Sequence, residues 1–178
     1  MKNIKVIKIK EKEIILLKIK SFKDNRGEFI KIFSKDNMNF LGKNFNPKQI
    51  NFVINSQKGV TRGLHYQIKK FAEKKVITCI KGKIQCVIVQ MDKKKKNYLK
   101  YYSFLLSQKN QRILVVPKKY ANGYQVLTKG SELIYMSDNF YKKKYEKILN
   151  PDDPKIKINW KIKKKIQTNK DKFSKFLR

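Results

Sequence analysis

An all-β chain folded as an antiparallel jelly roll, with a short helical tail at its C-terminus, is predicted by three features of this sequence. From Ile4 to Val126 the apolar residues come in short runs broken by turn residues, with little helical periodicity. The runs recur at the spacing of a sandwich or barrel, and no strand-helix-strand alternation interrupts them. The chain has 178 residues, 40% hydrophobic and 12% aromatic, enough to bury roughly two-thirds of its surface around one core and too apolar for a disordered polycation. Residues 1–178 therefore read as a single domain.

In chain order, the apolar runs place strands at 14–19, 29–33, 50–55, 63–66, 75–80, 84–90, 101–106, 112–116, 123–127 and 133–139. Lys81-Gly82 separates two of these runs and reads as a tight hairpin turn. Pro117 and the lysines after it close the run at 112–116, since proline cannot donate to a ladder. The lysines at 93–96 read as an exposed loop. In the tail, 161–178, charge dominates, with weak helical spacing at Phe173, Phe176 and Leu177; locally it reads as a solvated helix or a frayed end.

The formal charge of +32 raises nucleic acid as a partner, because cations that neutralise phosphates gain affinity by releasing counterions. Almost all of it is lysine, however, with arginine only at Arg26, Arg62, Arg112 and Arg178, whereas planar bidentate recognition of phosphates and bases favours arginine. Lys, Ile, Asn, Phe and Tyr are abundant together, as in an AT-rich coding sequence, so the charge is compositional and implies weak anionic stickiness without specific nucleic-acid binding. Cys79 and Cys86 lie in apolar runs without metal or redox spacing and read as small buried hydrophobes. No stretch of 18 or more apolar residues and no signal peptide appears, so the sequence implies a reducing cytoplasm and no membrane partner.

His65 is the sole histidine, which excludes a metal centre of several histidines and a four-ligand structural zinc, leaving no metal or cofactor expected. It lies in Arg62-Gly63-Leu64-His65-Tyr66-Gln67. Regular alternation puts it on one face with Gly63 and Gln67, which is not a core pattern, and Arg62 supplies a cation nearby.

With this segment go Asp24-Asn25-Arg26-Gly27, Gln49-Ile50-Asn51, Lys75-Val76, Val116-Pro117, the Tyr135 segment, Asp152-Asp153-Pro154, Ile158-Asn159-Trp160 and Lys170-Asp171. Together and in this order, over nearly the whole chain, they resemble the dTDP-4-dehydrorhamnose 3,5-epimerase family. The resemblance implies a metal-free cupin jelly roll, usually a homodimer, that epimerises a nucleoside-diphosphate 4-keto-6-deoxy sugar beside its ketone, for lipopolysaccharide or capsule sugars. The hydrogens on C3 and C5 flank the ketone, so removing either gives an enolate, and the barrier falls if a base faces the carbon while a cation or donor faces the oxygen. The resemblance assigns the base to His65, the carboxylate that orients it to Asp171, the enolate-stabilising cation to Lys75 and the opposite-face acid to Tyr135. It assigns Arg26 and Arg62 to the diphosphate and Gln49 and Asn51 to polar substrate contacts; Phe29 and Tyr141 are candidates to flank the nucleotide base, and each reads equally well as plain core.

The sequence departs from the family pattern in places. Where the family has Ala-His-Gly after the Val-Pro strand, this chain has Ala121-Asn122-Gly123, and an amide cannot take a proton. Asn122 can still bind substrate, or one of the two epimerisations is lost. The acidic positions of a neighbouring family strand are Cys86 and Gln90 here, and their loss together with the histidine points to a retuned shell around the site. Lys31 replaces a glutamate near the expected nucleotide. GDP-4-keto-heptose epimerases share the asparagine and a segment like Val53-Ile54-Asn55-Ser56 but lack Tyr-Gln after the histidine, so the nucleotide stays open. Two alternatives stand beside double epimerisation: a C3-only or C5-only epimerase of a GDP-4-keto-6-deoxy-heptose, and a non-catalytic cupin that binds sugar nucleotides or polyanions.

Overall fold

The computed structural model describes residues 4–11, 13–34 and 45–177. Along the chain run β1 (Ile4–Lys10), β2 (Ile14–Ile19), β3 (Phe22–Asp24), β4 (Gly27–Phe29), β5 (Gln49–Asn55), β6 (Thr61–Gln67), β7 (Lys75–Lys81) and β8 (Lys83–Gln90). They are followed by β9 (Tyr101–Ser107), β10 (Arg112–Val116), β11 (Tyr120–Val126), β12 (Ser131–Ser137), β13 (Glu146–Ile148) and one helical turn, α1 (Asn169–Lys172). A six-stranded sheet in the order β1-β2-β10-β7-β12-β5 faces a five-stranded sheet in the order β13-β6-β11-β8-β9. Every ladder is antiparallel, and β3-β4 forms a separate hairpin. Among the described residues no helix is long and apolar enough to cross a membrane.

Alternation along the strands builds three apolar layers. Between the sheets pack Ile14, Leu16, Ile77, Cys79, Ile84, Cys86, Ile88, Leu114 and Leu133 with Tyr120 and Tyr124. Both cysteines are free and buried. The outer face of the six-stranded sheet, through Leu17, Val76, Ile113, Val115 and Met136, is covered by Ile30, Ile32, Phe33 and Phe45. On the five-stranded sheet's outer face, Leu64, Val87, Val89 and Ala121 lie under Leu149, Ile156 and Trp160 of the C-terminal segment.

Four sequence expectations are corrected. The run at 29–33 is not a strand: only Phe29 belongs to β4, and the residues after it cover a sheet without joining its ladder. Apolar spacing reports burial, and a covering segment is buried like a strand. The lysine-rich β1 was not expected as a strand; it is the edge of its sheet, where exposed lysines are favoured. Lys81-Gly82 is no hairpin, since β7 and β8 lie in different sheets, and the turn carries the chain across the sandwich. Gly82 has φ +74°, and a Cβ there would come within 2.3 Å of the Ser131 Oγ, so the corner admits only glycine.

The tail carries the expected short helix, Asn169–Lys172, but the helix stops before Phe173, Phe176 and Leu177, and the segment is held against the fold instead of being solvated or frayed. Two buried glutamines grip its backbone. Gln85 donates to the Asn159 carbonyl at 2.9 Å and accepts from the Lys161 amide at 2.8 Å. Gln125 donates to the Ile162 carbonyl at 2.9 Å and accepts from its amide at 2.8 Å. Ile166 bridges Val60, and buried Asp153 accepts from the Leu177 amide at 2.6 Å.

Candidate active site

A cavity of about 300 Å³ lies between the two sheets, closed on one side by the tail. Its polar lining comprises Arg62 and His65 from β6, Lys75 from β7, Asn122 and Tyr124 from β11, Tyr135 from β12, and Thr168, Lys170 and Asp171 from the tail. Val53, Ile77 and Leu133 supply apolar wall.

Strict alternation in β6 would send Arg62 and His65 to opposite faces. In the β6-β11 ladder, however, Arg62 pairs with Tyr124 and His65 with Asn122, three steps of one strand against two of the other. This bulge brings Arg62 to the cavity side with His65, while Leu64 and Tyr66 keep the outer layer that alternation from His65 gives them; from His65 to Gln67 the β6-β13 pairing stays in step, as the expected shared face of His65 and Gln67 requires. Gly63 makes the bulge possible: its φ is +106°, and a Cβ there would lie 2.7 Å from both the Asn122 carbonyl oxygen and the Gly123 Cα.

His65 Nε2 is 2.7 Å from Asp171 Oδ1, and the other Asp171 oxygen accepts from the Gly63 amide at 3.2 Å. Burial alone would push the Asp171 carboxyl up, but the hydrogen bond and charge of His65, with the Gly63 amide, hold it below its ordinary value. An ionised carboxylate only accepts, so Nε2 carries the hydrogen and Nδ1 the lone pair of the neutral ring. Glu146 Oε1 stands 3.8 Å from Nδ1. Its other oxygen accepts from Lys170 Nζ at 2.6 Å and from the Tyr141 hydroxyl at 3.0 Å. Despite its burial, those two hydrogen bonds keep Glu146 below the usual carboxylate range.

Lys75 and Tyr135 form the facing wall. Lys75 Nζ lies 5.9 Å from the centroid of the Tyr135 ring and 3.0 Å from Glu73 Oε1. Burial raises the Tyr135 phenol, the Glu73 charge raises it further and Arg62 opposes them. Deeper in, buried Asn55 accepts from Arg62 Nε and from the Tyr124 hydroxyl, both at 3.2 Å, and donates to the Ser131 carbonyl at 3.0 Å. Burial pushes the Tyr124 phenol up to about 12.

Five of the residues expected at the site thus meet in one cavity with Asn122, namely His65, Asp171, Lys75, Tyr135 and Arg62. The Asn122 amide donates to the His65 carbonyl at 2.8 Å, bracing the strand that carries the histidine. Gln90 does not reach Asn122; it accepts from the Asp92 amide at 2.8 Å, and Cys86 is a core residue, so the expected coupling among these three positions is absent. Gln49 and Asn51, on β5, and Tyr141 stand outside the cavity lining; Gln49 accepts from the Tyr141 amide at 2.7 Å. Arg26 and Phe29 are on the exposed β3-β4 hairpin, where Arg26 is held 2.6 Å from Asp24. Glu73, Glu146, Asn55 and Tyr124 were not expected from the sequence. Only Asn55, inside a segment noted for other reasons, gave any signal.

The family model described as dTDP-4-dehydrorhamnose 3,5-epimerase matches residues 8–178. A dTDP-4-dehydrorhamnose 3,5-epimerase of Shigella flexneri is 32% identical over 170 residues, covering 93% of this chain and 92% of the relative. The crystal structure of the Bacillus anthracis enzyme with TDP and PPi bound superposes with a TM-score of 0.93 at 29% identity, over 98% of this chain and 99% of that one. That of the Legionella pneumophila enzyme in complex with dTDP-4-keto-L-rhamnose gives 0.91 at 27% identity, over 97% and 92%. By sequence and fold alike, this chain belongs to the dTDP-4-dehydrorhamnose 3,5-epimerase family and is an isomerase acting on carbohydrates.

Proposed function

We propose that this chain epimerises a nucleoside-diphosphate 4-keto-6-deoxy sugar at C3, C5 or both. His65 removes the proton beside the ketone, Asp171 stabilises the imidazolium that results, Lys75 faces the enolate oxygen and Tyr135 returns a proton to the opposite face. One observation carries the reading: a histidine bonded to an ionised aspartate at 2.7 Å and a lysine beside a tyrosine enter a single cavity from opposite sheets. Inversion at carbon needs a base and an acid on opposite sides of the reacting atom. Burial keeps the Tyr135 phenol protonated, as an acid must be, and Lys75 is a compact charge sheltered from water. The ligands named for the Bacillus and Legionella relatives favour a thymidine diphosphate as carrier.

Arg26 and Phe29 stand away from this cavity, so they would meet a nucleotide held by a second copy of the chain. The exposed Ile50, Phe52 and Ile54 of edge strand β5 offer an apolar face for such a homodimer.

Proton NMR in deuterium oxide tests the reaction, with dTDP-4-keto-6-deoxyglucose and, separately, a GDP-4-keto-6-deoxy-heptose. Deuterium is expected beside the ketone of the dTDP sugar, and His65→Asn should abolish it; undiminished exchange in that variant would overturn the assignment of the base. Asn122 favours a second reading, a single-site epimerase, because its amide is engaged by the His65 carbonyl and carries no transferable proton. One deuterium in the product supports that reading, and two exclude it.

A further inference from the structure

We propose that Glu73 is a positioning residue for this reaction, a carboxylate that pins the Lys75 ammonium at the cavity wall. The inference rests on the reading of Lys75 as the cation facing the enolate oxygen. The Glu73 side chain is 9% exposed and that of Lys75 13%, with 3.0 Å between Oε1 and Nζ. The second Glu73 oxygen accepts from the Ser137 hydroxyl. Ser137 is the direct ladder partner of Lys75 across β7 and β12, so one register fixes the lysine backbone and the hydroxyl that holds its counter-ion. With 13 acidic residues against 45 basic ones, composition alone would leave a lysine here unpaired.

A buried carboxylate is costly to desolvate and is retained where its partner needs it. A lysine side chain has four flexible carbons and, unrestrained, spreads its charge over many positions. Held on one side by Glu73, the ammonium keeps two of its three hydrogens for an oxygen in the cavity, and its placement is settled before substrate arrives. The charge of the same carboxylate also reaches Tyr135. That phenol faces Glu73 and Lys75 on the β7 side, Arg62 on β6 and Tyr124 on β11. Glu73 is the anion of the group and favours the protonated phenol.

The experiment is a double-mutant cycle on Glu73→Gln and Lys75→Met, following deuterium wash-in to dTDP-4-keto-6-deoxyglucose. Glutamine matches the shape and can still accept from Ser137 and Lys75, so a packing role would survive it. The expected result for Glu73→Gln is a fall in kcat of about tenfold or more, the scale seen when an outer partner of a reacting group is lost, with KM nearly unchanged. The alkaline limb of its kcat profile should move to lower pH, because Tyr135 loses the anion that favours its proton. At neutral pH, where Tyr135 keeps its proton with or without the Glu73 charge, the same change should add nothing in the Lys75→Met background. Wild-type kcat in Glu73→Gln beside an impaired Lys75→Met, or additive losses, would overturn this proposal alone. A fully active Lys75→Met would overturn the reading of Lys75 and this inference with it. Should Glu73→Gln fail to fold, Ser137→Ala probes the same contact: a smaller loss in kcat at constant KM is expected, and wild-type kcat overturns the proposal.

Discussion

The two walls of the cavity are built in different ways. On the six-stranded sheet, Lys75 and Tyr135 sit in an in-register run of the β7-β12 ladder, Tyr135 opposite Ile77 and Ser137 opposite Lys75. Their spacing follows from strand geometry alone. The wall that carries His65 has a bulge in β6 and takes its carboxylate from Asp171, 106 residues further along the chain. That aspartate is placed by the grip of Gln85 and Gln125 on the tail, by the Ile166 bridge, and by Thr168, which accepts from the Asp171 amide at 3.3 Å. One wall inherits its geometry from local pairing, whereas the other assembles it from distant backbone and is sensitive to residues that never approach the sugar.

The largest effect is expected where the assembled wall meets the chemistry. Asp171→Asn replaces the ionised acceptor of His65 Nε2 by an amide that accommodates the wrong tautomer, and kcat should fall on the order of 1,000- to 10,000-fold, as in triads that lose their carboxylate. Single-turnover exchange in deuterium oxide measures it, and a loss below tenfold would refute the dependence of His65 on Asp171. Tyr135→Phe breaks the ladder-built wall and should separate two observables. Exchange on the face served by His65 persists, while inverted product falls by about 100-fold or more, the typical worth of a general acid. Equal loss of both would show that the walls do not act independently. Gly63→Ala attacks the bulge: a Cβ 2.7 Å from two backbone atoms, at φ +106°, should destabilise the fold by about 2 to 4 kcal/mol and misplace His65. Urea denaturation checks the first part, and a midpoint within experimental error of the parent would show that the bulge relaxes freely.

This contrast also decides what the sequence revealed. The strands at 14–19 and 112–116 coincide with β2 and β10, because a short continuous apolar run records a strand whose two faces are both covered. His65, Lys75, Tyr135 and Asp171 were legible through ordered motifs, and all four line the cavity. Asp171 shows the limit of local reading: by its neighbours it belongs to a solvated charged tail, and only the fold returns that tail to β6. Glu73 and Glu146 left no trace because an acid among lysines looks like an ordinary surface residue until its burial is known. Alternation carries no mark of the bulge that unites Arg62 with His65, since a single residue out of step is hidden in a short strand. Gln85 and Gln125 could not be recognised as tail clamps either, because their partners are backbone groups without a side-chain signature.

Tyr124→Phe should have the smallest effect at neutral pH and the most informative one at high pH. The hydroxyl donates to Asn55 at 3.2 Å, and its removal leaves that oxygen with Arg62 Nε, so at pH 7 the loss should be no more than about 1 to 1.5 kcal/mol. Burial raises this phenol to about 12, against about 10 in the unfolded chain, so the folded state holds its proton more tightly. The stabilisation is complete below about pH 10 and is lost as the pH climbs toward 12, by about 2 to 3 kcal/mol in total, since the unfolded chain ionises first. Lysines and the other buried tyrosines titrate over the same range in both proteins and cancel in the difference. Urea midpoints at pH 8 and pH 11 should therefore show Tyr124→Phe losing less stability between the two than the parent does. A parallel decline would mean that the hydroxyl ionises as freely in the folded protein as in the unfolded chain, and that the cavity's inner end is as wet as its mouth.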